Sequence, residues 1–383
     1  MHPRFCHARA PLMRILLAPD KFKGSLSAAE AAEALQRGFR KVWPTATFDS
    51  APIADGGEGT AEVFRHDFAG EEITAPAHDA LGRPISATYT WLPETRTAVI
   101  DMSSASGLWR IAESELSPTT ASTFGTGELM RDAIQRGAQK IIVGLGGSAT
   151  NDGGAGMASA LGWQFLNESG NPVSVVPEKF REISEIRPPN AWFPEISGLC
   201  DVRNPLLGSE GATPVYGPQK GVTAELQPLM EASLLHLADV CARALGVDHR
   251  DHREHRGAGA AGGLGFGLLT FAGGRLEPGF ATIARMLKLE ERIASADLVI
   301  TGEGRLDTQT AHGKGPAALA ELARSQGRPI LAFTGCLEDE SEVFTACIPI
   351  ADRPLTLDES RSRASQLLEA AAARAARLIQ ISL

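Results

Sequence analysis

Five segments of this 383-residue chain place acids, bases or bare backbone directly after apolar runs that read as strands. "RILLA" (14–18) is followed by "PDKFKGS", which carries Asp20, Lys21 and Lys23. The run ending at Ile53 is followed by "ADGGEGT", with Asp55 and Glu58. "KIIV" (140–143) leads into "GLGGSATNDGGAG", where Ser148, Thr150, Asn151 and Asp152 are interleaved with six glycines, among them Gly146 and Gly147. "SGLC" is followed by Asp201 and Asn204. "DLVI" is followed by "TGEGRLDTQTAHGKGP", with Glu303, Arg305, Asp307, Gln309 and Lys314. Ligands of parallel α/β sheets bind beyond the carboxyl ends of strands. One such loop is weak evidence, but five of a kind are hard to ascribe to chance.

These residue types suit phosphoryl transfer. Glycine lets backbone N–H groups approach phosphate oxygens, and the N-terminus of a following helix adds partial positive charge. Lysine and arginine neutralise the transferring group, carboxylates hold Mg²⁺, and one carboxylate can take the proton of an attacking hydroxyl. Neither familiar nucleotide fingerprint is present. GxxxxGK[ST] is absent, and Ala149 stands where GxGxxG needs its third glycine.

The elements that must position these residues alternate in type. Residues 14–70 read β-α-β-α, with Ser27 and Glu30 as a capping box on the first helix. Between about 71 and 102 the pieces "EEITAPAHD", "PISATYTWL" and "TAVIDM" are β-rich with turns between them, which predicts antiparallel strands. From 124 the α/β rhythm resumes; 167–198 reads as loop with short elements, and a long Ala-rich helix closes the chain from about 359. The expected fold is α/β in two domains. Residues 13–70 with 281–383 form a discontinuous Rossmann-like parallel domain. Residues 71–280 form an inserted α/β domain with mixed strands, the active site is expected in the cleft between them, and 1–12 is a disordered extension.

Composition narrows the function. Apolar residues make up 43% of the chain, enough for a sizeable core, and the formal charge is −9. No basic stripe suggests nucleic acid, and no apolar segment reaches membrane-spanning length. Five scattered cysteines without CxxC spacing read as reduced thiols of a cytoplasmic protein. The first twelve residues lack the apolar region of a signal peptide, and translation could start at Met1 or Met13.

Several sites have blander readings. "GAGAAGGLGFG" (257–267) has no charged residue and serves either close helix packing or a phosphate cradle, with packing slightly ahead. Asp55 and Glu58 suit helix caps, and Asp201 suits an N-cap. His312 reads as a loop histidine. "DHRDHREH" (248–255) reads as a solvated connector, because its arginines oppose metal binding.

The chain resembles the bacterial glycerate kinase family. The segments that carry the resemblance are "LLAPDKFKGSLSA", "PIADGGEGT", "GLGGSATNDGGAGM", "CDVRNPLLG", "YGPQKG", "GAGAAGGLGFG" and "LVITGEGRLDTQTAHGKGP", spread over 14–316. The resemblance implies two α/β-type domains and ATP-dependent phosphorylation of D-glycerate with Mg²⁺, giving 2-phosphoglycerate. Within it, the 143–156 stretch is expected to handle phosphate through Gly146, Gly147, Ser148, Thr150 and Asn151. Asn204, Gln219, Lys220, Glu303, Gln309 and Lys314 join as substrate or phosphate contacts. Lys23, Arg305 and Lys314 are expected to neutralise charge. Asp20, Asp201, Glu303 and Asp307 compete for base and metal roles, and Asp201 is chosen as base because Asn204 could orient a small polyol acid. Asp152, Asp55 and Asp307 are the metal candidates, with capping the alternative for Asp152. The family commonly has serine at Lys21 and glutamate at Asp101, and 167–200 and 336–358 look shortened. A kinase for another short hydroxy acid and a non-catalytic acid-binding sensor are the rival readings. The oligomeric state stays open, a homodimer among the options.

Overall fold

The run Arg14–Leu17 is a strand, β1, and its last three residues are buried, as a continuous apolar run requires. The computed structural model describes residues 13–245, 252–306, 315–338 and 342–382. β1 leads to α1 (Ala28–Arg40) and β2 (Thr47–Ser50). The capping box is formed: the Glu30 N–H donates to Ser27 Oγ at 3.2 Å, and the Ser27 N–H donates to Glu30 Oε2 at 2.8 Å. Then come α2 (Thr60–Asp67), β3 (Glu71–His78), β4 (Pro84–Leu92), β5 (Thr97–Asp101), α3 (Ser103–Ser106), α4 (Phe124–Gln135) and β6 (Lys140–Gly144). They are followed by α5 (Ala155–Ala160), β7 (Gln164–Leu166), β8 (Glu185–Arg187), β9 (Glu195–Leu199), α6 (Ala212–Tyr216), α7 (Gln227–Leu245), α8 (Ala260–Phe271) and β10 (Arg275–Glu277). The remaining elements are α9 (Gly279–Met286), α10 (Leu289–Ser295), β11 (Leu298–Leu306), α11 (Gly315–Ser325), β12 (Ile330–Leu337), β13 (Ala346–Pro349), α12 (Leu357–Ser362) and α13 (Ala364–Ser382).

The chain divides into two compact units, 1–55 with 280–383, and 56–279. Residues 56–70 cluster with the second. The first unit holds a parallel sheet in the order β13-β12-β11-β1-β2. Its core joins Ile15 and Leu17 of β1, Leu35 and Phe39 of α1, Phe333 of β12 and Leu368 of α13. β11 runs further than "DLVI" predicts. It stays paired with β12 as far as Leu306 opposite Leu337, so Glu303 and Arg305 lie on a strand and not in the loop after it.

The second unit holds a six-stranded mixed sheet in the order β10-β9-β6-β5-β4-β3. β3, β4 and β5 are antiparallel neighbours, while β5, β6, β9 and β10 run parallel. The β3–β4 turn is closed by Asp79, which is 3% exposed. Its carboxylate accepts the N–H groups of Leu81 and Arg83 at 2.9 Å and the Arg83 Nε–H at 2.5 Å. Burial raises the cost of that charge, but the Arg83 and Leu81 donors outweigh it and hold the carboxyl below its usual range. A separate core runs from Tyr89 and Ile100 through Met130 and Val143 to Phe266 and Phe271.

The glycine-rich 257–267 stretch takes the packing role. α8 is broken at its start, where Ala261, Gly262 and Gly263 adopt left-handed backbone. A Cβ on Gly262 would lie 1.9 Å from the Thr150 carbonyl oxygen. Only a residue without a side chain brings α8 that close to the 144–156 loop. Among the described residues, no helix is long and apolar enough to cross a membrane.

Candidate active site

In the second unit, the carboxyl ends of β5, β6 and β9 bring three sequence-distant turns together. The Leu145 N–H is shared between the carbonyls of Gly56 (2.9 Å) and Leu199 (3.0 Å). A Cβ on Gly146 would lie 2.7 Å from Gly57 Cα, so the "ADGGEGT" and "GLGGSATNDGG" turns meet backbone to backbone. Gly147 has φ +69° and is exposed, and its missing Cβ would lie 3.3 Å from Glu58 Oε2. The Gly147 carbonyl is held in turn by the Leu108 N–H at 2.8 Å. This arrangement leaves Gly146 and Gly147 as the accessible backbone of the loop.

Asp101, at the end of β5, accepts the Gly59 N–H at 2.8 Å and the Ala61 N–H at 3.1 Å. Gly59 is the N-cap of α2 and has no side chain to cap it, so Asp101 does so from another element. The sequence shows Asp101 only as a departure from the family pattern. It gives no hint of the partner, because the bond spans 42 positions.

The polar residues of the loop face inward. Thr150, Asn151 and Asp152 have no exposed surface, and Ser148 is 6% exposed. Asp152 accepts four hydrogen bonds, from the Thr123 N–H and hydroxyl at 2.7 and 2.8 Å and from the Gly154 and Gly156 N–H groups at 3.1 and 3.2 Å. It is therefore an interior cap, and its metal assignment gives way to the capping alternative. Burial pushes its carboxyl above the usual range despite those four donors. Asn151 donates to Thr213 Oγ1 at 2.9 Å and ties the loop to α6. The interleaving that suggested substrate contact serves, for Thr150, Asn151 and Asp152, to satisfy a buried loop.

Lys220 is buried as well and touches the loop from inside. Its ammonium group donates to Ser148 Oγ at 2.8 Å and to the Thr150 carbonyl at 2.7 Å. Gln219 beside it is exposed. Asp201 is exposed just past β9, and its Oδ1 accepts the Gly279 N–H at 2.9 Å. No helix follows Asp201 directly, so it is not a local N-cap; its bond goes instead to Gly279, the first residue of α9. Asn204 is half-buried, and both ends of its side-chain amide have partners. Its Nδ2 donates to the Glu210 carbonyl at 2.7 Å, and its Oδ1 accepts the Tyr216 hydroxyl at 2.6 Å. Cys200 is inert as a thiol, pushed up to about 11 by burial and by its neighbour Asp201.

In the first unit, the ends of β1 and β11 lie side by side. The Asp20 N–H donates to the Gly302 carbonyl at 2.8 Å, and a Cβ on Gly304 would lie 3.1 Å from the Lys23 backbone nitrogen. Asp20 Oδ1 accepts the Lys21 N–H at 2.6 Å, and its Oδ2 would lie 3.4 Å from a Cβ on Gly315, where α11 begins. The Ile53 N–H donates to the Pro19 carbonyl at 2.9 Å, so the segment ending in Asp55 runs beside the one ending in Asp20. Lys23 is exposed, Asp55 and Glu303 are half-buried, and Arg305 is exposed with an ion pair to Glu338 at 2.6 Å. Asp307, Gln309, His312 and Lys314 lie outside the described residues, as does His249. His252 and His255 contact Thr270 Oγ1 and the Arg256 carbonyl.

Parallel strands whose carboxyl ends carry carboxylates, lysines and glycine turns are the setting in which α/β enzymes bind their ligands. The sequence profile of the glycerate kinase family matches residues 15–380, and the chain belongs to that family. It is thus a kinase. A protein named glycerate kinase from Bacillus subtilis (strain 168) is 39% identical, with 97% of this chain and 98% of that one covered. Escherichia coli (strain K12) glycerate 2-kinase is 39% identical over 86% of each chain. A crystal structure from Salmonella typhimurium LT2, provisionally named glycerate kinase 2, matches with TM-score 0.84 and 38% identity over 97% of this chain and 99% of that one.

Proposed function

We propose that this kinase transfers the γ-phosphoryl group of ATP to a hydroxyl of D-glycerate, giving 2-phosphoglycerate. The observation that carries the reading is the Gly146–Gly147 turn. It is open backbone at a strand end in a chain matched over 15–380 by a family named for glycerate kinases. Backbone N–H groups with no side chain over them suit phosphate oxygens. Lys23 and Arg305 supply positive charge for the transferring group. Asp201 takes the proton of the attacking hydroxyl, and the Gly279 N–H fixes its orientation.

Mg²⁺ that arrives with a nucleotide needs one or two protein carboxylates, the phosphates and water filling the other positions. Asp20, Asp55 and Glu303 are oxygen donors on one unit; among the described residues no three such side chains converge on a metal site, so one or two of them at most would hold the ion beside the phosphates. Asp152, closed by four donors, does not fit the ion. When bound, the ion would withdraw charge from the phosphate oxygens.

The test is a coupled assay of ADP release with D-glycerate, ATP and Mg²⁺, the product being resolved by phosphorus NMR. One isomer, the 2-phosphate, is expected. Turnover only on a different hydroxy acid would move the reading to that substrate. Folded, ATP-binding protein with no turnover on a panel of such acids would defeat it.

A further inference from the structure

Lys220 stands behind the glycine turn. It ends the short turn Pro218–Lys220 after α6, and it is 1% exposed. Burying an ammonium group is costly unless other partners replace its water. Here the replacements are the Ser148 hydroxyl at 2.8 Å and the Thr150 carbonyl at 2.7 Å, with the Asp152 carboxyl acting at longer range. The same loop contains Thr150 Oγ1 and Asn151 Oδ1, two buried oxygens without a hydrogen-bond partner among the described residues. A methionine would fill this space without the cost of desolvation, so the charge is the feature that needs a reason.

We infer that Lys220 is a positioning residue: it holds Ser148 and Thr150 from inside and so keeps the adjoining Gly146–Gly147 amides in an anion-receiving form. The inference rests on reading that turn as a phosphate contact. It also gives the loop a positive charge buried beneath its surface. Burial draws the ammonium down to about 7 against the pull of Asp152, so the tether changes character near neutrality. Asp152 is the charged group that acts on it; its hydrogen-bond partners, Ser148 and the Thr150 carbonyl, are uncharged. Below that pH the group is a cation with three donors, and above it an amine with weaker ones.

The experiment follows the backbone amide NMR signals of Gly146, Gly147 and Ser148 from about pH 6 to about pH 9 in wild type, K220M and S148A. In wild type these amides should titrate together near the Lys220 midpoint. In K220M the titration should vanish, and in S148A, which removes one partner, its midpoint should fall. In parallel, KM for ATP in wild type should rise as pH climbs through that midpoint. KM in K220M should be pH-flat by comparison and raised about tenfold or more, kcat changing less. Wild-type amides that do not titrate, or a wild-type titration that persists in K220M, would overturn the inference. Should K220M fail to fold, the wild-type and S148A titrations decide alone. Absence of turnover on D-glycerate would count against the proposed substrate and leave the amide titration to decide the role of Lys220.

Discussion

At the scale of single residues, chemistry and structure compete for the same polar groups. The 144–156 loop is rich in hydroxyl and carboxyl side chains, yet burial assigns most of them to the interior and leaves two glycines outside. Asp201 is the acid for which a substitution separates the two roles. In D201N the side-chain amide would keep an oxygen for the Gly279 N–H and lose the carboxylate that accepts the proton. D201N should therefore fold as wild type and lose roughly 10²–10⁴-fold in kcat. Circular dichroism would check the fold and steady-state kinetics the rate; a kcat within about tenfold of wild type would remove Asp201 from the base role. Asp79 is the opposite case, a carboxylate with a structural task. Its folded pKa is depressed, so the stability that it adds is present above its ordinary value of 3.8 and is lost as pH falls through the lower folded value. D79N should cost about 1–3 kcal/mol at neutral pH. Urea unfolding at successive pH values should also show the gap between wild type and D79N narrowing below about pH 4.

At the scale of elements, the strands and helices whose signals are local fall where periodicity and turn residues put them. β1, the capping box on α1, the β3–β4–β5 meander and β6 are of this kind. β11 outruns its apolar core because the Thr301–Leu306 backbone finds a partner in β12, and pairing does not need apolar side chains. The left-handed break in α8 has no periodic signature, since its cause is the neighbouring Thr150 carbonyl. G262A tests that cause. It adds left-handed strain of roughly 1–2 kcal/mol to an overpacking cost of about 1–3 kcal/mol. A clear fall in melting temperature is expected; an unchanged one would show that the loop and α8 can separate without loss.

At the scale of the whole molecule, each unit has its own core, one centred on β1, α1, β12 and α13, the other on the mixed sheet. The units differ in how they are made. Residues 56–279 are continuous, whereas in the first sheet β1 lies between β11 and β2 and needs both ends of the chain. A fragment of 56–279 is therefore expected to unfold cooperatively by itself. A chain ending at 279 should retain that transition and leave β1 and β2 unprotected, because three of the five strands of their sheet are gone. Urea melts and amide hydrogen exchange of the two fragments would check this. A broad, non-cooperative melt of 56–279 would show that this unit borrows stability from the rest of the chain.

The sequence by itself determined the alternation of elements, the strand ends that carry Asp20, Asp201 and the glycine turns, and the resemblance that the family match upholds. These are local properties: periodicity, apolar runs and residue order. Only the tertiary structure decided which polar residues face outward. It set Asp101 on the N-terminus of α2, closed Asp152 inside four donors, bound the two ends of Asn204 to Glu210 and Tyr216, and drew Lys220 beneath Ser148. Each of these contacts joins residues that are not adjacent in the sequence, and a side chain's direction depends on what packs against it. Residue type shows what a group can do, while burial decides whether a substrate can reach it.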